Sequence, residues 1–359
     1  MKRTLSLLLT AALALSLLAG CGPKTPPEGG SASSAPGSSS SQPDTSADKS
    51  TPEADAPVIK FMALSGPTGV GASWLMDNYS AENAFADMPF VLDSSIVTDN
   101  EEVKNALINR DVDIAAVATN VAANLSAKSD GAIQVLAVNT LGVLYILEKG
   151  DTVHSIADLA GKTLYCPSNT KGANPEHILN HLLASTNMDQ AAVNIEWLTP
   201  QEITAKITSS DSGICMLPVP AATALMVQDS AVREAVSLSE AWMDLEGSQL
   251  PMGCVVARTE FIEQSDSALI EAFIDLYGDS ISFMEGEGNR PDAAALAVKH
   301  GILPNEKVAA KAIPQCALTF VTGQAMKDTL EDYYAILFQA APESIGGGLP
   351  YDSFYYGVG

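Results

Sequence analysis

Three loops of this 359-residue sequence gather side chains that suit a small polar molecule. The first, Ser65-Gly66-Pro67-Thr68-Gly69-Val70-Gly71, follows an apolar run and opens an amphipathic stretch, where glycine lets backbone N–H groups approach a bound molecule closely. It lacks the Gly-Lys-Ser/Thr ending of a P-loop and the spacing of a dinucleotide fingerprint, so neither ATP hydrolysis nor NAD binding is indicated. The second, Ala118-Thr119-Asn120, ends another apolar run on polar side chains. The third runs from Ser168 to Glu176 and brings hydroxyl, amide and ammonium groups together. Neutral donors at helix N-termini can hold an anion, each charge-assisted bond contributing roughly 1.5–3 kcal/mol.

The candidate ligand contacts are therefore Ser65, Gly66, Pro67, Thr68, Thr119, Asn120, Ser168, Asn169 and Thr170, with Lys171 as an optional counter-charge. Pro218, in the turn Pro218-Val219-Pro220-Ala221, allows close approach from another side. Each loop also has a purely structural reading. Gly and Pro shape turns, Asn120 is equally a helix cap, Asn174 reads as an N-cap before Pro175 at the first helical position, and Lys171 is equally a solvated charge.

Other chemistries find less support. His177 and His181 share a helix face at a spacing of four, yet no His-Glu-x-x-His pattern accompanies them, so no metal is expected. No nucleophile elbow is present, which argues against hydrolysis. Cys166, Cys215, Cys254 and Cys316 form no Cys-x-x-Cys pair and sit in or beside apolar runs, as small buried hydrophobes do, with a disulfide, which export permits, as the alternative. Trp74, Trp197 and Trp242 read as core residues before they read as ligand walls. A formal net charge of -24 argues against nucleic acid as a partner, since phosphate binding depends on clustered Lys and Arg. No cofactor and no catalysis are expected.

The elements that must position these loops alternate in type. Apolar runs at Val58 to Leu64, Phe90 to Ile96 and Asp113 to Ala118 are each followed by helical patterning, the rhythm of an α/β fold with a largely parallel sheet. Ile133 to Glu148 reads as a long strand broken near Thr140-Leu141-Gly142, a crossover into a second lobe. That lobe repeats the rhythm through Lys162 to Cys166, Asn194 to Leu198 and Gly213 to Leu217. Leu250 to Ala257 returns the chain, and helices follow to Ala340. About 300 residues exceed what one core usually serves, so two lobes are expected, with the ligand beyond the carboxyl ends of the strands.

The N-terminus has a separate logic. Lys2 and Arg3, an apolar run from Leu5 to Leu18, and then Leu18-Ala19-Gly20-Cys21 match a secretory signal ending in the lipobox of bacterial lipoproteins, with Cys21 the acylated residue. From Gly22 to Pro57 the chain is rich in Ser, Pro, Gly, Asp and Thr and reads as a disordered tether. The expected organisation is signal 1–21, tether 22–57, first lobe 58–145 and 251–345, second lobe 146–250, and a tail 346–359.

Gly66-Pro67-Thr68-Gly69, Asp113-Ile114-Ala115-Ala116-Val117 and the stretch Val153 to Thr163, with its Asp158-Leu159-Ala160-Gly161-Lys162, carry a resemblance. Over everything after the tether the chain resembles the substrate-binding proteins of ABC importers in the nitrate, sulfonate, taurine and thiamine-precursor group. That resemblance implies the two-lobed type 2 periplasmic-binding-protein fold, a mixed, mostly parallel sheet in each lobe, and no enzymatic activity. It implies a small polar or anionic ligand and an ABC transporter permease as partners, and a monomer on the outer face of the membrane. Thiamine-pyrimidine synthesis-like chemistry and ligand sensing without transport are the alternatives.

Overall fold

The computed structural model describes residues 56–186 and 192–358. The expected signal, Cys21 and nearly all of the tether lie outside the described residues.

Eleven strands form two sheets among the described residues. In the first, β1 (Val58–Leu64), β2 (Val91–Val97), β3 (Ile114–Ala118), β4 (Ile133–Thr140), β10 (Gly253–Arg258) and β11 (Leu318–Val321) lie in the order β11-β4-β10-β3-β1-β2. The second orders β5 (Leu144–Lys149), β6 (Thr163–Pro167), β7 (Asn194–Leu198), β8 (Gly213–Pro218) and β9 (Val232–Ser237) as β7-β6-β8-β5-β9.

Strand direction follows from how the chain enters each lobe. β1 is parallel to β2 and β3, and β6 to β7 and β8, as βαβ units dictate. β5 and β10 each begin where the chain has just crossed from the other sheet, so they run away from the junction and pair antiparallel with their neighbours. β1 to β4 therefore share one direction, as do β6 to β9, with inverted strands inserted between them. The passages between sheets are only Leu141–Val143 and, after the helix that follows β9, Leu250–Met252. β3 is continuously apolar and β4 is buried along nearly its whole length because both of their faces are covered.

Helices cover the sheets: α1 (Pro67–Asn78), α2 (Asn100–Asn109) and α3 (Thr119–Lys128) in the first half, then α4 (Asn174–Ser185), α5 (Pro200–Ser209), α6 (Ala221–Gln228) and α7 (Leu238–Glu246) around the second sheet. After β10 come α8 (Thr259–Gln264), α9 (Ser267–Glu285), α10 (Arg290–Lys299), α11 (Glu306–Ala312) and α12 (Gly323–Ala340). One core packs Phe61, Phe90, Phe273 and Tyr277 between β1 and α9. A second core is shared by the two lobes: Tyr333 and Tyr334 of α12 lie in one cluster with Leu144, Leu238 and Trp242. The Trp242 and Tyr333 rings stand 5.7 Å apart, so α12 bridges to the second lobe although it follows the return of the chain to the first.

Residues 346–358, read from the sequence as a C-terminal tail, pack against β4. Phe354 and Tyr355 are buried, and the Tyr356 N–H donates to the Val135 carbonyl at 3.0 Å. These aromatic side chains complete the core beside β4 and α12, a gain that outweighs the entropy of holding the last turns in place.

Candidate functional site

A cavity of about 450 Å³ lies between the lobes. Helices from both sheets aim their N-termini at it. α1 supplies Pro67 and Thr68, α3 supplies Asn120 and Val121, and α4 supplies Asn174 and Pro175 from the opposite lobe. None of these three N-termini is capped by a side chain. At α2, which also reaches the cavity, Asp99 accepts from the Glu101 N–H at 2.9 Å. Thr140 at the end of β4, with Val143 and Met252 from the two crossovers, forms the back wall.

The first two loops bring Ser65, Pro67, Thr68 and Asn120 to this wall. Gly66 stands just before α1 at φ +101°, a left-handed conformation that glycine adopts without strain, and so directs the chain from β1 into the helix. Thr119 is fully buried and belongs to the return crossover: its hydroxyl donates to the Pro251 carbonyl at 2.8 Å and its N–H to the Met252 carbonyl at 3.2 Å.

The third loop is displaced from the expected reading. Ser168 to Thr170 form a 3-10 turn that leaves Ser168 and Asn169 exposed, while the Thr170 hydroxyl turns inward to the Pro167 carbonyl at 2.7 Å. Lys171 is exposed, with its ammonium 5.9 Å from the centre of the Trp197 ring. None of these four residues lines the cavity, and neither does Pro218 at the end of β8. Gly172 to Pro175 face it instead.

Asn174 is the residue that local reasoning misread. Ala173, not Asn174, is the N-cap. Asn174 is 4% exposed, and its Oδ1 accepts from the Tyr333 hydroxyl at 2.6 Å across the lobe boundary, leaving Nδ2 without a partner. Burial pushes the Tyr333 phenol well above its ordinary range, so it remains a proton donor at any physiological pH. A second bond between the lobes runs from the Thr223 hydroxyl to Gln315. The charged residues lining the cavity are Glu101, Lys104, Lys128 and Glu343; Glu101 and Lys104 pair at 2.7 Å, while Lys128 and Glu343 are exposed.

The remaining reactive groups lie elsewhere. Cys166, Cys215, Cys254 and Cys316 are free and buried; burial pushes Cys166, Cys215 and Cys316 up to about 12, and Cys254 also upward. His181 pairs with Glu246 at 2.7 Å and packs on Trp242. Trp242 is core, and Trp74 packs against Tyr79 and Phe283.

No family model matches the chain, and no curated protein matches it in sequence. Solved structures do match in shape. An ABC transporter from Parabacteroides distasonis superposes over 83% of this chain and 98% of its own, with a TM-score of 0.68 and 22% identity. The periplasmic aliphatic sulphonate binding protein SsuA from Escherichia coli covers 82% and 96%, with a TM-score of 0.63 and 15% identity. The chain has the two-lobed periplasmic-binding-protein fold. The ligand-binding component of an ABC-type import system from Staphylococcus aureus shares it over 83% and 96%, with a TM-score of 0.60 and 14% identity.

Proposed function

We propose that this chain is an extracytoplasmic solute-binding protein, anchored by lipid on Cys21, which holds a small polar or anionic ligand between its lobes and delivers it to an ABC importer. One observation carries the reading. Uncapped N-termini of α1 and α3 from one lobe and α4 from the other meet at a cavity whose back wall includes residues of the two crossovers. Helix N-termini present backbone N–H groups that lack intrahelical partners, and a volume of about 450 Å³ suits a small molecule. Contacts divided between lobes make ligand occupancy favour the closed arrangement, with Leu141–Val143 and Leu250–Met252 as the hinge segments.

The chain binds and releases its ligand unchanged, as a monomer, and the lipid on Cys21 raises its effective concentration near a membrane permease. Supporting this, one solved structure of the same fold is named an ABC transporter and another the ligand-binding component of an ABC-type import system. The test is a thermal-shift screen over sulfonates, nitrate, bicarbonate, pyrimidines and amino acids, followed by small-angle scattering with the best binder. A raised unfolding midpoint together with a smaller radius of gyration is expected. A tight ligand that leaves the radius unchanged, or a chemically altered metabolite, refutes the reading. Anchoring is tested separately: Cys21→Ala should move the protein out of the membrane fraction.

A further inference from the structure

We propose that the ligand carries no net charge and presents at least one N–H or O–H donor beside its acceptor oxygens, and that Asn120 and Asn174 read this pair from opposite lobes. The inference rests on the binding reading above and concerns the same cavity. Nine buried side-chain polar atoms among the described residues have no hydrogen-bond partner, and four of them belong to residues lining this one cavity: Asn100 Oδ1, Asn120 Oδ1, Asn174 Nδ2 and Ser344 Oγ. Buried polar atoms in folded proteins are almost always paired, so a cluster of unpaired ones on residues that line one cavity points to bonds reserved for a molecule that enters it as the lobes adjust. Asn120 is 9% exposed and Asn174 4%, and they sit in the first turns of α3 and α4.

The chemistry of the set limits what fits. Backbone N–H groups in the first turns of α1 and α3, together with Asn174 Nδ2, donate and call for acceptor oxygens. Asn100 and Asn120 carbonyl oxygens accept and call for hydrogen. An oxyanion without a hydrogen to give would bring its oxygens against those two carbonyls. The wall's own charges balance: Lys104 pairs with Glu101, Lys128 and Glu343 are both exposed, and no arginine lines the cavity. A donor-bearing neutral or zwitterionic solute meets both demands.

The experiment uses the full chain and paired probes in titration calorimetry: taurine against ethanesulfonate, and uracil against 1,3-dimethyluracil, with nitrate as a donor-free anion. At least one donor-bearing probe should bind tenfold or more tighter than its donor-free counterpart. Asn120→Leu should raise the unfolding midpoint of the unliganded protein, because it removes an unpaired buried carbonyl, and weaken that same probe tenfold or more. Equal binding of a donor-free partner, or unchanged affinity in Asn120→Leu, overturns the inference; the latter would mean that Asn120 serves only water. If nitrate or ethanesulfonate binds and contracts the protein in scattering, the inference falls while the binding function stands. Failure of every probe to bind overturns the inference as well.

Discussion

Replacing Tyr333 by Phe removes a single oxygen from the middle of the molecule and leaves its ring in place against Trp242 and Tyr334. That oxygen donates to Asn174 Oδ1 at 2.6 Å, and both residues are buried. Without it the amide carbonyl loses its only protein donor in a position water reaches poorly. A buried polar atom stripped of its partner costs about 1–3 kcal/mol. For a chain of this size, where 1 kcal/mol shifts the midpoint by roughly 2–4 °C, the melting temperature should fall by about 2–12 °C. Urea unfolding at pH 7 checks the value, with the slope against denaturant unchanged from wild type. Tyr333→Phe and Asn174→Ala should also be non-additive, because each removes the same bond. A loss below about 0.5 kcal/mol, or simple additivity, would refute the claim that this pair ties α12 to α4.

Three further outcomes are expected. Glu148 is 3% exposed; burial pushes its carboxyl upward, but bonds from the Thr152 hydroxyl and N–H, the Val153 N–H and Arg233 at 2.6 Å outweigh that and hold it below its usual range. Its contribution is therefore complete above the unfolded carboxylate range, near pH 4, and is lost as pH falls through the lower folded value; Glu148→Gln should cost about 1.5–3 kcal/mol at pH 7 and narrow its gap to wild type in acid, as read by thermal melts across pH. Gly253→Ala would place a Cβ 2.7 Å from Asn139 Oδ1 and 3.0 Å from Thr140 Cβ, and should cost about 1–3 kcal/mol in denaturant unfolding by crowding the return crossover. Thr68→Ala should weaken ligand binding about tenfold in calorimetry while Asn169→Ala leaves it within about twofold, since only Thr68 lines the cavity; the opposite ranking would move the site to the third loop.

The alternation of apolar runs and helical patterning was legible in the sequence because β1, β3 and β4 bury side chains in simple periods. Ser65, Thr68 and Asn120 were legible as loop residues for a related reason: they follow immediately on strands whose ends are marked by polar residues and glycine. The third loop misled because composition reports which groups are present but not which way a 3-10 turn points them, so Ser168 and Asn169 look as suitable as Asn174. Asn174 itself reads as a cap, since the tyrosine that holds it lies 159 residues further along the chain. Asn100 and Ser344 carry no local mark of their place in the cavity wall. For residues 346–358 a signal was present in Tyr351, Phe354, Tyr355 and Tyr356, an aromatic density that a solvated tail does not need.

The position of β10 between β3 and β4 imposes an order of assembly in time. All five strands of the second sheet fall between Leu144 and Ser237, so the ribosome has delivered that sheet in full before the first can be closed. In the sheet β4 lies between β10 and β11, both of which emerge later, and β3 meanwhile presents an open edge. An incomplete chain ending before Gly253 would therefore join a complete second sheet to a split first one, with β4 unpaired and one edge of β3 open, the form in which chains recruit one another. Keeping those edges apart until the last third of the polypeptide arrives falls to whatever holds the growing chain, and synthesis rate along the segment from Ser237 to Val321 sets how long that exposure lasts.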